Sequence, residues 1–288
     1  MSAAVYLDYD QAGLDAQYNN RERFPFYIDY FNKWPEWSQR TRERMGGHLN
    51  VAYGDDPAET LDIFPAAEAG APVHVFIHGG YWYALHKDDF SFVAEGLVPN
   101  GVTSVIVNYG LAPTYRMDEI VRQNRAAIAW LWRHIARLGA DPDRIYVCGQ
   151  SAGGHLLGML LATDWPAFSE GLPRDPIKGG CSTSGLFDLQ PIRLSYLNQH
   201  IHLDEAEAER NTPLRAHFEA ATPLMIVVGE DESAEFHRHN REMAARWRTL
   251  GYPLEFVERK GEHHFAVCDA MIDPHSDLVQ AQLDAWAR

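Results

Sequence analysis

The chain has 288 residues, of which 46% are hydrophobic and 23% charged, and its 40 acidic and 25 basic residues give a formal net charge of −15. This composition is typical of a globular protein, and because no repeat, low-complexity tract or Ser/Gly linker is present it favours one domain with insertions. The basic residues form no stripe, so neither nucleic acid nor an anionic membrane surface is an expected partner.

The cysteines and the first residues indicate the compartment. Cys148, Cys181 and Cys268 are scattered and odd in number, which argues against a disulfide framework. The first residues lack the charged and apolar regions of a secretory signal, and no apolar run is long enough to span a bilayer. We therefore expect a cytoplasmic protein, and the sequence allows a homodimer.

Residues 1–45 are rich in aromatic and charged side chains. A helix is expected over 36–45, because Pro25 and Pro35 should interrupt any longer one. So many aromatic side chains need a surface to cover. We therefore expect an N-terminal arm over 1–45 that packs on a domain at 46–288 and could cover a pocket.

The rest of the chain alternates between strand and helix patterns. Apolar and polar residues alternate over 49–54 and 59–64, which predicts an antiparallel pair of half-buried strands. Short buried runs predict further strands at 73–77, 102–110, 144–150, 177–184, 223–230 and 254–259. Helices are predicted at 117–138, 151–163, 235–250 and 276–287.

This alternation predicts an α/β fold, with a mostly parallel twisted sheet covered by helices on both faces and an antiparallel edge. A cap-like insertion is expected near 188–220. Ligands of such sheets bind beyond the carboxyl ends of the strands. The glycine-rich and polar segments that follow the strands should therefore converge there.

The segment GQSAG at 149–153 lies between a predicted strand and a predicted helix. It fits the G-x-S-x-G nucleophile elbow, in which small residues let a strained turn close around an exposed serine, here Ser151. The following helix would aim its free N–H groups at the site. A chance glycine-rich turn is the plainer alternative.

A serine hydroxyl needs a base to become a nucleophile, and the base needs an orienting acid. In the elbow fold the order along the chain is serine, acid, histidine. Asp231 and Glu232 follow the strand at 223–230, and His263 and His264 follow the next helix and strand. Periodicity does not distinguish adjacent loop residues, so both pairs stay open at this level.

The segment HGGYW at 78–82 follows the strand at 73–77. The elbow fold carries its second oxyanion donors at this point, so Gly79 and Gly80 are candidate donors together with the N–H of Ala152. Tyr81 and Trp82 would suit an aromatic substrate, although ordinary packing explains either of them equally well.

Taken together, these residues resemble the α/β-hydrolase superfamily in the branch related to hormone-sensitive lipase, and more narrowly the kynurenine formamidase (arylformamidase) family. The likeness runs from about residue 50 to the C-terminus. It is carried by HGGYW (78–82), NYGLAP (108–113), GQSAGGHL (149–156), SGLFDLQPI (184–192), GEDESAEF (229–236) and HHF (263–265).

The resemblance implies which member of each open pair acts. It implies Glu232 as the acid, directly before the serine of an S-x-E-F stretch, and His264 as the base, directly before Phe. Two departures stand out: Gly110 where relatives commonly have Arg, and Glu in place of the more usual Asp.

The function implied is that of a serine hydrolase that cleaves a small aryl formamide, such as N-formylkynurenine, or an aryl ester through an acyl-enzyme. The close alternative is a carboxylesterase or arylesterase on small aromatic esters. An alternative of another class is a hydrolase fold used only for binding. No cofactor is expected, and no metal, because the pairs His200/His202 and His237/His239 lack further ligands that would complete a site.

Overall fold

The computed structural model describes residues 3–287, in which eight strands form one sheet in the order β1-β2-β4-β3-β5-β6-β7-β8. The strands are β1 His48–Ala52, β2 Thr60–Phe64, β3 Ala71–Ile77, β4 Thr103–Val107, β5 Ala140–Gln150, β6 Ile177–Thr183, β7 Leu224–Gly229 and β8 Leu254–Arg259. β2 is antiparallel to β1 and β4, whereas the strands from β4 to β8 pair in parallel. The predicted parallel sheet with an antiparallel edge is confirmed.

Helices cover both faces of the sheet. The α-helices are α1 Gln11–Tyr18, α2 Asn20–Arg23, α3 Tyr27–Met45, α4 Ala94–Leu97, α5 Met117–His134, α6 Ala152–Leu161, α7 Trp165–Phe168, α8 Leu189–Leu194, α9 Asn198–Ile201, α10 Glu205–Arg210, α11 Ala234–Thr249, α12 Ala266–Asp269 and α13 Asp277–Trp286. Short 3-10 turns lie at Lys87–Asp89, Ser91–Val93, Val98–Asn100, Ile135–Leu138, Pro213–Arg215 and Ala270–Ile272. The four helices predicted beyond the arm correspond to α5, α6, α11 and α13.

The central strands are apolar because both of their faces are buried. Successive residues point to opposite sides of a sheet, so Val75 packs in one core and Phe76 in the other. Val147 and Cys148 on β5 divide in the same way. All three cysteines are buried and free.

The N-terminal arm is more helical than its prolines suggested. Pro35 lies inside α3, which begins at Tyr27, so the expectation that this proline would interrupt the helix is wrong. An interior proline costs about 3 kcal/mol. Packing of the adjacent Trp34 offsets that cost, since its indole is 1% exposed and its Nε1 donates to Asp269 Oδ1 at 2.6 Å.

The parallel register brings the loops after five strands to one edge of the sheet. HGGYW follows β3, Ser151 follows β5 and Ser184 follows β6. Glu232 and His264 follow β7 and β8. The connection from β6 to β7 contains α8, α9 and α10; its description as a cap, and the domain boundary at 45/46, stay predictions.

Candidate active site

Ser151 occupies a strained turn between β5 and α6. Its φ of 56° and ψ of −113° lie in a region that residues with a Cβ rarely adopt. The flanking glycines are required sterically: a Cβ on Gly149 would lie 2.1 Å from the carbonyl oxygen of Gly153, and a Cβ on Gly153 would lie 1.9 Å from that of Ile77. The turn therefore closes only with glycine at both positions.

His264 and Glu232 extend from Ser151 as a chain of hydrogen bonds. His264 Nε2 lies 3.1 Å from Ser151 Oγ, and His264 Nδ1 lies 2.7 Å from Glu232 Oε2. An ionised carboxylate only accepts, so Nδ1 carries the proton and Nε2 is free to accept from the serine hydroxyl. All three side chains are buried, which excludes competing water from these contacts.

Two further hydrogen bonds fix the carboxylate of Glu232. Ser184 Oγ donates to Glu232 Oε1 at 2.5 Å, and the backbone N–H of Gly229 donates to the same oxygen at 2.8 Å. Ser184 has a φ of 55° and follows β6 directly. No role was predicted for Ser184, although it begins a segment that carries the resemblance.

The neighbouring candidates for acid and base lie elsewhere. Asp231 is exposed to solvent, with its backbone N–H bonded to the carbonyl of Glu262. The ring of His263 stacks on Phe24 of the arm at 4.7 Å, and its Nε2 lies 3.2 Å from the hydroxyl of Tyr30. Burial, with a smaller contribution from the adjacent His264, lowers the pKa of His263. The geometry brings only Glu232 and His264 to the serine.

The loop after β3 approaches the serine through its glycines. A Cβ on Gly79 would lie 3.1 Å from Ser151 Cβ, and one on Gly80, whose φ is 101°, would lie 2.1 Å from the carbonyl oxygen of Ala84. Among the described residues, none accepts a hydrogen bond from the N–H groups of Gly79, Gly80 or Ala152. Ala152 is the first residue of α6, where the helix dipole favours negative charge.

His78 contacts the loop after β3, and burial keeps its imidazole neutral. Its ring stacks on Tyr109 with centroids 4.3 Å apart, and its Nδ1 donates to the carbonyl of Gly79 at 2.8 Å. Complete burial lowers its pKa to about 4.

Tyr81 and Trp82 take different positions. Tyr81 lines the cavity above Ser151, and its hydroxyl donates to the carbonyl of Tyr18 at 2.7 Å. Trp82 is not among the cavity residues, so the expectation that it lines the pocket is wrong. Its indole is 0% exposed, and its Nε1 donates to His155 Nδ1 at 3.1 Å, because Trp82 turns into the core.

A cavity opens over Ser151 and His264. Its wall combines aromatic side chains with a few polar ones. Besides Ser151 and His264, the lining residues are Asn20, Arg21, Phe31, Trp34, Gly80, Tyr81, Tyr83, Leu85, Gln150, Tyr196 and Phe265. Four of them, Asn20, Arg21, Phe31 and Trp34, belong to the arm.

Gly110, the departure noted in the sequence, lies against an aromatic ring. A Cβ there would lie 2.4 Å from Cδ2 of Tyr115, and the Gly110 N–H donates to Gln123 Oε1 at 2.6 Å. A larger side chain at this position would displace Tyr115, so the glycine is tied to this local packing.

Within residues 3–287, no helical segment combines the length and the apolar character that a bilayer span requires. The same residues contain no group of three or more His, Cys, Asp or Glu side chains placed to hold a metal ion.

Comparisons with known proteins agree with this geometry. A family model for the alpha/beta hydrolase fold matches residues 74–267. Kynurenine formamidase of Danio rerio is 31% identical over 253 residues, which are 85% of this chain and 84% of that protein.

Solved structures extend the similarity to nearly the whole chain. One from Silicibacter sp. TM1040, provisionally assigned as a thioesterase, has a TM-score of 0.82 at 27% identity over 93% of this chain and 97% of that one. An esterase from Mycobacterium marinum has a TM-score of 0.72 at 19% identity over 94% and 92% of the two chains, which shows a shared fold.

Proposed function

From the premise that this chain belongs to the α/β-hydrolase family and is a hydrolase, we propose that it is a serine hydrolase that cleaves small aryl formamides. The observation that carries the proposal is the hydrogen-bonded series from Ser151 through His264 to Glu232, whose serine end opens into an aromatic cavity.

In the first step Ser151 Oγ attacks the formyl carbon while His264 Nε2 takes the hydroxyl proton. The carbonyl oxygen becomes an oxyanion in the tetrahedral intermediate. The N–H groups of Gly79, Gly80 and Ala152 are its proposed donors, each worth about 3 kcal/mol in the transition state. Glu232 orients His264 and stabilises the imidazolium.

Collapse of the intermediate breaks the carbon–nitrogen bond, and His264 gives its proton to the departing aryl amine. The formyl group is then bonded to Ser151 Oγ. Water attacks this ester with His264 again acting as base, which releases formate and restores the serine hydroxyl.

The substrate class rests on similarity and on the cavity wall. The Danio rerio relative is a kynurenine formamidase, and the likeness covers most of both chains. Tyr81, Phe31 and Trp34 give the cavity aromatic faces that suit an aryl leaving group.

An esterase acting on small aromatic esters is the second candidate. It is favoured by the 27% identical Silicibacter structure with its provisional thioesterase assignment, since thioester and ester cleavage use the same acyl-enzyme steps. The hypothesis of a binding protein without catalysis is not retained, because the chain keeps serine, histidine and acid together. Cytoplasmic location and a homodimer stay predictions.

The deciding experiment compares kcat/KM for N-formylkynurenine with kcat/KM for a panel of aryl esters, using the wild type and Ser151→Ala. We expect the formamide to equal or exceed the best ester, and Ser151→Ala to abolish both activities. A formamide value orders of magnitude below the best ester would assign the protein as an esterase, and turnover by Ser151→Ala would overturn the serine mechanism.

A further inference from the structure

The wall of the cavity contains one positively charged side chain. Arg21 is the only Lys or Arg among its lining residues, and no Asp or Glu lines it. In a chain with a formal net charge of −15, a lone arginine in the cavity wall changes which ligands the site attracts.

The guanidinium of Arg21 is held by aromatic faces and not by a carboxylate. Its Cζ lies 5.5 Å from the ring centroid of Tyr27 and 5.5 Å from that of Phe31. It forms no ion pair within residues 3–287. Stacking on rings occupies the flat faces of a guanidinium and leaves its edge N–H groups available for a bidentate carboxylate.

The preceding residue, Asn20, offers a complementary acceptor. Its side chain is buried at 4% exposure, and its Oδ1 has no hydrogen-bond partner among the described residues. Its Nδ2 lies 3.4 Å from the Tyr81 hydroxyl, which donates its own proton to the carbonyl of Tyr18. Because the Tyr81 oxygen can then only accept, Nδ2 is the atom that faces it, and Oδ1 is left over.

A buried polar atom without a partner costs free energy, which a ligand that supplies the missing donor would recover. Asn20 lines the same cavity as Ser151, and because its Oδ1 is shielded from solvent, a bound substrate would reach that atom through a small rotation of the amide. The Arg21 guanidinium can bind an anion, and the Oδ1 of the adjacent Asn20 can accept a hydrogen bond from a cation. Together they match the carboxylate and the ammonium that an α-amino acid carries on one carbon atom.

We propose that Arg21 and Asn20 form a subsite for the α-amino acid group of the substrate's leaving group, with the carboxylate on Arg21 and the ammonium on Asn20 Oδ1. The inference rests on the proposed function, because it places this group at the far end of the aryl amine that leaves Ser151. It makes the arm a determinant of specificity for a zwitterionic substrate.

The test for Arg21 uses N-formylkynurenine and its α-carboxamide, which lacks the anion. Arg21→Gln should lower kcat/KM for the carboxylate at least about tenfold, mostly through KM, and change the carboxamide less than about twofold. Arg23→Gln is the matched control, because Arg23 is exposed on the same short helix and does not line the cavity. It should leave both substrates unchanged.

The test for Asn20 uses the desamino analogue, which keeps the carboxylate and lacks the ammonium. Asn20→Ala should lower kcat/KM for N-formylkynurenine several-fold and leave the analogue nearly unchanged. Equal losses on both substrates would show that Asn20 only holds the arm in place and would overturn its part of the proposal.

A second substrate pair separates this inference from the proposed function. O-acetyltyrosine and its amide are aryl esters that differ only in the carboxylate, so they report on Arg21 even if no formamide is cleaved. Loss of selectivity for the acid over the amide in Arg21→Gln supports the subsite. Wild-type enzyme without preference for the carboxylate in either pair, or equal losses on acid and amide, would overturn it.

Discussion

Ser184 Oγ donates a 2.5 Å hydrogen bond to Oε1 of Glu232, and this contact turns the other carboxylate oxygen toward His264. The serine comes from the loop after β6 and the glutamate from the loop after β7, so two adjacent strands fix one side chain. The proposed acid, Glu232, is thereby held by groups that do not themselves touch the reacting atoms.

Removing the Ser184 hydroxyl should weaken catalysis without unfolding the protein. Ser184→Ala deprives the carboxylate of a charge-assisted hydrogen bond, and we expect kcat to fall about tenfold to hundredfold. Ser182→Ala is the control, since Ser182 is also buried on this segment and its hydroxyl has no partner among the described residues. Equal kcat values for the two variants would show that Ser184 does not position Glu232.

Replacing each carboxylate in turn should distinguish the role of Glu232 from that of Asp231. Glu232→Gln removes the negative charge that stabilises the imidazolium, and we expect kcat to fall by a factor on the order of 10⁴. Asp231→Asn should leave kcat unchanged, because Asp231 is exposed. Steady-state hydrolysis of p-nitrophenyl acetate measures both, and a large loss in Asp231→Asn would reverse the assignment.

The two adjacent histidines should respond differently. His264→Asn removes the base and should lower kcat by a factor on the order of 10⁴ or more. His263→Phe keeps an aromatic ring against Phe24 and should retain kcat within a few-fold. Thermal melting of both variants checks that the arm stays packed. If His263→Phe proved as inactive as His264→Asn, the arm contact would have to take part in catalysis.

Stability should fall in mild acid because of buried neutral histidines. Burial lowers the pKa of His74 to about 3, and lowers those of His78 and His155 to about 4. In the unfolded chain these groups titrate near 6.5, so below that pH the unfolded state binds more protons and the free energy of unfolding declines. Each histidine then removes about 2 kcal/mol at pH 5 relative to neutral pH.

Urea unfolding at pH 7 and pH 5 measures this decline. His74→Leu should reduce it by about 2 kcal/mol, because neither ring nitrogen of His74 has a partner within the described chain. His217→Gln is the control, since the His217 side chain is 83% exposed. An unchanged decline in His74→Leu would contradict the prediction.

The sequence predicted the strands and the loops of the site because each leaves a local pattern. Buried β-branched runs mark the central strands, and the sterically required glycines around Ser151 mark the elbow. Adjacent residues such as Asp231 and Glu232 share one local environment in sequence, so only the path of the loop after β7 separates them. The resemblance to a family was needed there.

Two features could not be predicted from the sequence because they depend on tertiary structure. The contact of Ser184 with Glu232 depends on a positive φ after β6, which nothing in the sequence signals. The continuation of α3 through Pro35 depends on packing of Trp34 against the body of the protein. Trp82 was misplaced because an aromatic residue beside a glycine pair suits a pocket wall and a core equally well.

The wall of the cavity draws on a stretch of chain that the alpha/beta hydrolase family model does not match. The arm residues Asn20, Arg21, Phe31 and Trp34 all precede residue 74, where that match begins. Substitutions in the arm can therefore reshape the cavity wall without altering Ser151, Glu232 or His264.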